Sequence, residues 1–171
     1  IGASYLNVAE SLSNILQRLK AEGYDVGAGP LDADSVLADI TTRARNVMGA
    51  APGELNEMVA QGGAVRVPVS DYRKWLDAYA PSLRDKMLKD WGQPEDSELM
   101  LLRDGGQPSF VIPGVRYGNI LLTPQPSRAW GEDLDKLFHA KDLAPHHQYA
   151  ASYAWLRNGF GADAVVHIGT H

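Results

Sequence analysis

The chain has 171 residues, of which 44% are hydrophobic and 22% are charged, and its net charge is -5. This composition is typical of a globular domain, and the negative charge argues against nucleic acid or an anionic membrane surface as a partner. The absence of cysteine excludes disulfides and thiolate metal sites, so any metal would be held by imidazole, carboxylate or water.

Helical periodicity dominates the first part of the chain. Apolar residues recur at helical spacing and predict a helix over about residues 5–22. Asp32 or Asp34 is suited to cap a second helix, since a short acidic side chain accepts hydrogen bonds from the first free backbone N–H groups. A shorter third helix is predicted over residues 54–60, and glycines follow it.

Two more helices are predicted before the period changes. The first begins near Ser70, and the second begins at Pro81 and is closed by Gly92. Short apolar runs separated by glycine and proline then predict three strands, of which the first two are expected to form a hairpin. These runs cover residues 98–103, 109–112 and 119–123.

No convincing element is predicted over residues 124–144, and loops of this length are often functional. Pro145 is placed to begin a helix that ends at Gly159, and residues 162–168 predict a final strand. We therefore expect an α/β fold, a helix-rich domain with a mostly parallel sheet that ends helix–strand. Residues 1–171 are taken as a single α/β segment and, from the way both ends cut into predicted elements, as a fragment of a longer polypeptide.

The histidines cluster at one end of the chain. Because imidazole both binds divalent metals and moves protons near neutral pH, chemistry is expected there. In open α/β sheets, ligands bind beyond the carboxyl ends of the strands. His167 at the end of the predicted last strand and His171 in the turn beyond it are therefore candidate catalytic groups and metal ligands. The sequence is equally compatible with a purely structural role for both histidines. The histidines are His139, His146, His147, His167 and His171.

Further candidates for ligand binding lie upstream. His146 and His147 fall at a predicted helix start, where adjacent residues point about 100° apart. We expect one imidazole to face a pocket and the other to be structural, although a surface pair without a ligand is an alternative. Gln125 and Arg128 lie in the long loop after a strand, at a plausible edge of the crevice. Trp130, Tyr149 and Tyr153 could line a flat aromatic ligand or belong to the core.

Two other kinds of site find no support. A phosphate-binding loop is absent, since the sequence Gly27-Ala-Gly29 is followed by proline rather than by a helix. A histidine-dependent hydrolase would need a serine or carboxylate placed to complete its catalytic set, and the pattern offers none. No apolar run approaches the roughly 20 residues that span a bilayer, and no signal-peptide pattern opens the chain, so we expect a cytoplasmic protein.

Two segments near the C-terminus carry a specific resemblance. The sequences Ala144-Pro-His-His-Gln-Tyr-Ala-Ala-Ser-Tyr-Ala-Trp-Leu-Arg157 and Phe160-Gly-Ala-Asp-Ala-Val-Val-His-Ile-Gly-Thr-His171 resemble the signature of the large chelatase subunits. That family joins CobN, the cobaltochelatase large subunit, to the H subunit of magnesium chelatase. The segments His147-Gln-Tyr149 and Trp155-Leu-Arg157 resemble CobN more than the magnesium enzyme.

The resemblance runs along nearly the whole chain. Four more segments are similar to the family and stand in the same order as its motifs. They are Ile1-Gly-Ala-Ser-Tyr-Leu-Asn7, Leu19-Lys-Ala-Glu-Gly-Tyr-Asp-Val26, Trp91-Gly-Gln-Pro-Glu95 and Tyr117-Gly-Asn-Ile-Leu-Leu-Thr-Pro-Gln-Pro126.

The resemblance implies part of the tetrapyrrole-binding large subunit of an ATP-dependent chelatase. Such a subunit would insert a cobalt ion, its substrate, into a corrin resembling hydrogenobyrinic acid diamide during cobalamin biosynthesis. ATP and magnesium would be used by separate ATPase chelatase subunits and not bound by this chain. The fragment is expected to be inactive alone. A magnesium chelatase H-type subunit and a non-catalytic module for docking subunits are the alternatives.

The resemblance also implies roles for the candidate residues. His167 and His171 would line the site where metal meets macrocycle, and His146 or His147 would contribute from a second position. Gln125 and Arg128 would meet the carboxylate or amide side groups of the macrocycle.

Overall fold

The computed structural model of the chain describes residues 7–47, 52–127 and 143–169. Helices and strands alternate irregularly along it, which confirms the predicted combination of both element types in an α/β domain. In chain order the described elements are α1 (Val8–Ala21), α2 (Ala33–Arg43), α3 (Pro52–Ala60), β1 (Ala64–Pro68), α4 (Val69–Asp77), α5 (Pro81–Trp91), a 3-10 turn (Pro94–Asp96), β2 (Leu101–Leu102), β3 (Ser109–Pro113), β4 (Val115–Tyr117), β5 (Ile120–Leu122), α6 (His147–Trp155) and a π-helical turn (Leu156–Phe160).

The sheets are antiparallel, so the predicted mostly parallel sheet is wrong. Strands β1, β3 and β2 form one sheet with β3 in the centre, and β4 pairs with β5 in a second. Leu101 lies opposite Phe110 in the first sheet, and Arg116 lies opposite Leu121 in the second. Short turns join β2 to β3 and β4 to β5, whereas parallel neighbours would need a crossover of roughly a dozen residues.

The hairpin predicted from the apolar runs is confirmed by the pairing of β2 with β3. Strand β4 was not predicted, because Pro113-Gly114 before it had been interpreted as a separator between longer runs. Gly114 instead continues the chain directly into β4, and its N–H donates to the carbonyl of Gly63 at 2.9 Å.

The predicted final strand is also wrong for the described residues. Residues 162–168 form no strand, and the side chains of Val165 and Val166 are 53% and 73% exposed. The apolar composition of this segment favours a strand, but a strand also needs a neighbour to hydrogen-bond with. His167 therefore does not lie at the end of a sheet strand in this structure.

The ends of the predicted helices follow simple hydrogen-bond rules. Asp32 caps α2, since its Oδ1 accepts a hydrogen bond from the N–H of Ser35 at 2.9 Å. Gly92 ends α5 with φ +74°, a conformation that costs glycine little because it has no Cβ. Helix α6 does not end at Gly159 but continues through the π-helical turn to Gly161, which is left-handed.

Among the described residues, three buried apolar clusters hold the elements together. Cluster 1 packs α1 and α2 on the hairpin β4–β5, cluster 2 packs α4, α5 and α6 on one face of the β1–β3–β2 sheet, and cluster 3 packs α3 on its other face. Strand β3 serves both faces, because Phe110 and Ile112 enter cluster 2 while Val111 between them enters cluster 3. Both faces of this small sheet are therefore covered.

The C-terminal segment spans two of these clusters. Ala150 and Ala151 of α6 lie in cluster 2, whereas Ile168 packs against cluster 1. Most of the long loop predicted over residues 124–144 lies outside the described residues. None of the described helices is long and apolar enough to cross a membrane.

Candidate functional site

A cavity of about 120 Å³ lies between the loop after β5, the helix α6 and the C-terminal segment. It brings Gln125 and His167, which were predicted as separate candidates, to one place. Tyr153, a candidate for lining a flat ligand, lies on the same cavity. The lining is completed by Ile112, Thr123, Pro124, Pro126, Ser152, Leu156, Val165, Val166, Ile168 and Gly169.

The loop that carries Gln125 is anchored through its backbone. The Nδ2 group of Asn46 donates to the carbonyl of Gln125 at 2.7 Å, and the hydroxyl of Thr123 donates to the carbonyl of Pro113 at 2.7 Å. Gln125 itself is exposed. Its amide is therefore presented from a fixed backbone and offers both a donor and an acceptor to a polar group.

His167 is exposed and lies beside a row of aromatic rings. The centroid of its ring is 6.2 Å from that of Tyr153, with 31° between the planes, and Tyr153 lies 5.0 Å from Tyr149. The neighbouring Ile168 packs on cluster 1 and ties this part of the chain to the core. An accessible imidazole of this kind has the chemistry to bind a divalent metal or to accept a proton.

His147 lies in the interior and makes hydrogen bonds through both ring nitrogens. Nε2 is 3.0 Å from the carbonyl of Gly92, and Nδ1 is 2.9 Å from the hydroxyl of Tyr72. Because a carbonyl only accepts, Nε2 must carry the proton, and Nδ1 accepts from Tyr72. Burial lowers the pKa of His147, while the hydrogen bond to Gly92 opposes that shift. This imidazole is therefore held neutral and fixed in one tautomer.

His146 is also buried, and its ring meets that of Trp91 edge-on at 5.4 Å. The same tryptophan donates from Nε1 to the carbonyl of Ala144 at 2.7 Å, and the N–H of Ala144 donates to Asp90 at 3.0 Å. This hydrogen bond from the backbone, with a second from Lys86, lowers the pKa of the Asp90 carboxyl. These hydrogen bonds therefore link the end of α5 to the segment that leads into α6.

Neither histidine of the pair lines the cavity with His167. One of them had been expected to face a pocket, but both side chains pack inside the domain, at 5% and 1% exposure. The sequence interpretation missed the residues that hold them, Tyr72 and Trp91. Trp91 lies in the segment Trp91-Gly-Gln-Pro-Glu95 that carries part of the family resemblance, which was the available signal. Tyr72 lies in the helix predicted to begin near Ser70, and no pattern in the sequence singled it out.

Gln148 is another buried polar residue, and its burial was not predicted from the sequence. Its side chain is fully buried, and both ends of its amide are without a hydrogen-bond partner within the described structure. An unsatisfied buried amide costs about 1–3 kcal/mol.

Other predicted site residues fall outside the described parts of the chain. These are Arg128, His171 and, among the aromatic candidates, Trp130. Within the residues that the structure describes, no three His, Asp or Glu side chains form a group that could hold a metal ion. His167 is thus a single described candidate ligand that would need others beside it.

A larger cleft of about 660 Å³ lies between the loop of residues 26–30, helix α2 and strand β4, and none of the predicted site residues lines it. Tyr117 donates to Asp39 at 3.0 Å, and Arg43 donates to the other carboxylate oxygen at 2.6 Å. Burial and the Asp39 carboxylate raise the pKa of Tyr117 to about 12. These three side chains satisfy one another's hydrogen-bonding groups, which is typical of a structural network.

The chain belongs to the CobN/magnesium chelatase family, because the family model matches residues 1–171. It is 32% identical to the aerobic cobaltochelatase subunit CobN of Sinorhizobium sp., over 92% of this chain and 11% of that protein. It is also 32% identical to the magnesium-chelatase subunit ChlH of Oryza sativa subsp. indica, over 99% of this chain and 11% of that protein.

A solved structure shows the same fold. The catalytic subunit of cobaltochelatase from Mycobacterium tuberculosis matches 99% of this chain with a TM-score of 0.76 and 33% identity, over 14% of its own length. The chain therefore spans between 11% and 14% of these relatives. Since the identity is the same with a cobalt and a magnesium subunit, overall similarity does not distinguish the metal.

Proposed function

We propose that this chain forms one wall of the tetrapyrrole cavity in the large subunit of an ATP-dependent cobaltochelatase. The observation that carries the proposal is the shared cavity of Gln125, Tyr153 and His167, in a chain that belongs to the chelatase family. The substrate would be a corrin of the hydrogenobyrinic acid diamide type together with a cobalt ion. ATP would be hydrolysed by separate partner subunits.

The small volume of the cavity supports the proposal that it is only part of a binding site. Ligand pockets in proteins usually have volumes of about 300–1,000 Å³, whereas this cavity has about 120 Å³. It is large enough for an edge or a side group of a macrocycle but not for the whole. The remaining walls would come from residues outside the described ones and from the rest of a longer subunit.

Metal insertion exchanges a desolvated divalent ion for two pyrrole N–H protons. The reaction needs a ligand that delivers the metal, a base that receives protons and a cavity that holds the macrocycle. We assign the first two roles to His167 and His171. Gln125 and Arg128 would bind the carboxylate or amide groups at the edge of the macrocycle, and Tyr153 would lie against an apolar part of the ring system.

His146 and His147 take a different place in this proposal. Because both are buried and lie off the cavity, we assign them to positioning α6, whose Tyr153 and Ser152 form part of the lining. Their contribution to substrate binding would then be indirect.

The proposal is tested in the full-length large subunit by titrating the corrin and following its absorbance. We expect Gln125→Ala to weaken binding about 2- to 10-fold, the value of one neutral hydrogen bond. Gln107→Ala is the matched control, since Gln107 is an exposed glutamine that does not line the cavity. Equal affinities of the two variants would contradict the role of Gln125.

Chelation with the ATPase subunits present tests the histidines. We expect His167→Ala to lower the rate about 100-fold, as for loss of a general base or metal ligand, with less effect on corrin binding. Asp163→Ala, an exposed neighbour, is the control. If alanine at His171 and at His167 leaves both corrin binding and chelation intact, the assignment is wrong and a docking role is favoured.

The equal similarity to the rice magnesium subunit makes a magnesium chelatase H-type subunit the second candidate. The same assay separates the two. Cobalt insertion into a corrin is expected, and magnesium insertion into a porphyrin would show the second candidate to be correct.

A further inference from the structure

A π-helical turn separates α6 from the segment that carries His167. At its end the N–H groups of Gly161 and Ala162 both donate to the carbonyl of Leu156. Leu156 also lines the 120 Å³ cavity. Turns of this kind are rare and are found frequently at functional sites. The direction in which the chain leaves the turn determines where His167 can lie.

The ring of Phe160, the last residue of this turn, contacts two large side chains. The guanidinium carbon of Arg116 lies over the ring, 5.5 Å from its centroid, and a cation within about 6 Å of a ring centroid is attracted to the face of the ring. The ring of Trp155 lies 5.8 Å from Phe160. Since Arg116 belongs to β4 and Trp155 to α6, Phe160 joins the helix to the β4–β5 hairpin.

Arg116 is itself held in place. Val115 and Tyr117 enter cluster 1, so Arg116 between them points to the opposite face of β4. Its Nε donates to the carbonyl of Gly118 at 2.6 Å. Gly118 is fixed in turn, since a Cβ there would lie 2.5 Å from the carbonyl oxygen of Asp25. Among the described residues, no carboxylate forms an ion pair with Arg116, so its charge remains available to the ring.

The β4–β5 hairpin supports both ends of the segment that follows the turn. At the start, Phe160 lies against β4, and at the end, Ile168 packs on cluster 1, to which the hairpin contributes. Val165 and Val166 between them are 53% and 73% exposed. The described contacts therefore hold this segment mainly at its ends, and His167 lies next to one of them.

We propose that Arg116 is a positioning residue for His167. Through Phe160 it fixes the π-helical turn, and the turn directs the following segment so that the imidazole lies at the cavity. We rest this assignment on the proposed function, in which His167 delivers the metal or receives protons. Loss of the guanidinium should displace His167 without removing a group that touches the substrate.

The first test needs no substrate and follows amide hydrogen exchange at Gly161 and Ala162 in the full-length subunit. We expect Arg116→Met to accelerate this exchange about 2- to 10-fold, as for loss of one cation–π interaction. Phe160→Leu should do the same, and the double variant should exchange no faster than either single one. Wild-type exchange in Arg116→Met, or additive effects in the double variant, would overturn the proposal.

Two controls belong to this measurement. Arg18→Met removes an exposed arginine of α1, which pairs only with Glu22 one turn away, and should leave the exchange at Gly161 and Ala162 unchanged. The amides of residues 110–112 in β3 report whether each variant remains folded.

The second test is chelation by the full-length subunit with the ATPase subunits present. We expect Arg116→Met to lower kcat about 3- to 10-fold, because a misplaced catalytic group slows the reaction. The KM for the corrin should change less than about 2-fold, since no substrate contact is lost. The same substitution made in His167→Ala should lower the rate no further.

The outcomes separate this assignment from the proposed function. An unchanged kcat in Arg116→Met would overturn the positioning role. An equal further loss in the His167→Ala background would also overturn it, because Arg116 would then act on the reaction by another route. If His167→Ala by itself leaves the rate unchanged, the role of His167 in the proposed function fails and the positioning role fails with it.

Discussion

At the scale of single residues, the same side chain has two different chemistries in this chain. His147 is enclosed, and its nitrogens are committed to Gly92 and Tyr72. His167 is exposed and lies at a cavity beside Tyr153. Both were candidates by residue type, since imidazole suits metal binding and proton transfer equally in either place. Their surroundings, not their identity, separate a structural histidine from a candidate functional one.

The buried histidine makes a pH prediction. The folded-state pKa of His147 lies below its ordinary value of 6.5, chiefly because of burial. The neutral form is thus favoured by folding, and its contribution to stability is complete above pH 6.5 and is lost as the pH falls through the folded pKa. His147→Gln should lower the free energy of unfolding by about 1–3 kcal/mol at neutral pH, because Tyr72 loses its acceptor.

The measurement is denaturant unfolding of both proteins between pH 8 and about pH 5. We expect the difference between wild type and His147→Gln to narrow as the pH falls below 6.5, because glutamine does not titrate. Groups common to both proteins cancel in this difference. A difference that stays constant with pH would show that His147 is not held neutral by the fold.

At the scale of elements, the connection from α3 to β1 depends on a close backbone approach at Gly63. A Cβ at this position would lie 1.7 Å from the carbonyl oxygen of Arg43, at the end of α2. The N–H of Gly63 donates to Met58 in α3, and its carbonyl accepts from Gly114 before β4. One glycine therefore joins α2, α3 and both sheets.

Gly63→Ala should accordingly destabilise the chain by about 3 kcal/mol or more, because a backbone clash cannot be relieved by a side-chain rotation. Gly29→Ala is the matched control, since nothing lies within 4 Å of the added Cβ and its φ is not positive. That variant should unfold within about 1 kcal/mol of wild type. Thermal unfolding measures both, and similar midpoints for the two variants would contradict the close approach.

At the scale of the whole molecule, the candidate site depends on packing between clusters 1 and 2. Helix α6 brings Tyr153 to the cavity from cluster 2, and Ile168 fixes the neighbouring His167 on cluster 1. The third wall, with Gln125, is tied through Asn46 to the loop after α2. The site is thus assembled from segments that are distant in sequence, each anchored to a different part of the core.

Ile168→Ala tests this arrangement. Removing a partly buried isoleucine should lower the free energy of unfolding by about 1–2 kcal/mol, less than the cost at a fully buried position. It should also weaken the contact between the rings of His167 and Tyr153, which nuclear Overhauser effects between them would show. Ile15→Ala, a change at a more exposed isoleucine of α1, should leave the ring contact unchanged. Loss in both variants would mean that Ile168 has no special role.

The sequence by itself determined the local elements and the family. Apolar spacing, a cap at Asp32 or Asp34 and the stop at Gly92 are short-range signals, and they predicted the helices because helices hydrogen-bond within themselves. The hairpin of β2 with β3 could also be predicted, because its two strands are close in sequence. The motifs near the C-terminus identified the chelatase resemblance directly.

Only the tertiary structure decided what depends on contacts between distant residues. It made the sheets antiparallel, and among the described residues it left residues 162–168 without a strand partner. Pairing is a property of two segments, whereas a sequence pattern describes only one. It also buried His146 and His147 while bringing Gln125 to His167 at one cavity. Burial and proximity arise from packing of all clusters together, so no single segment of the sequence contains them.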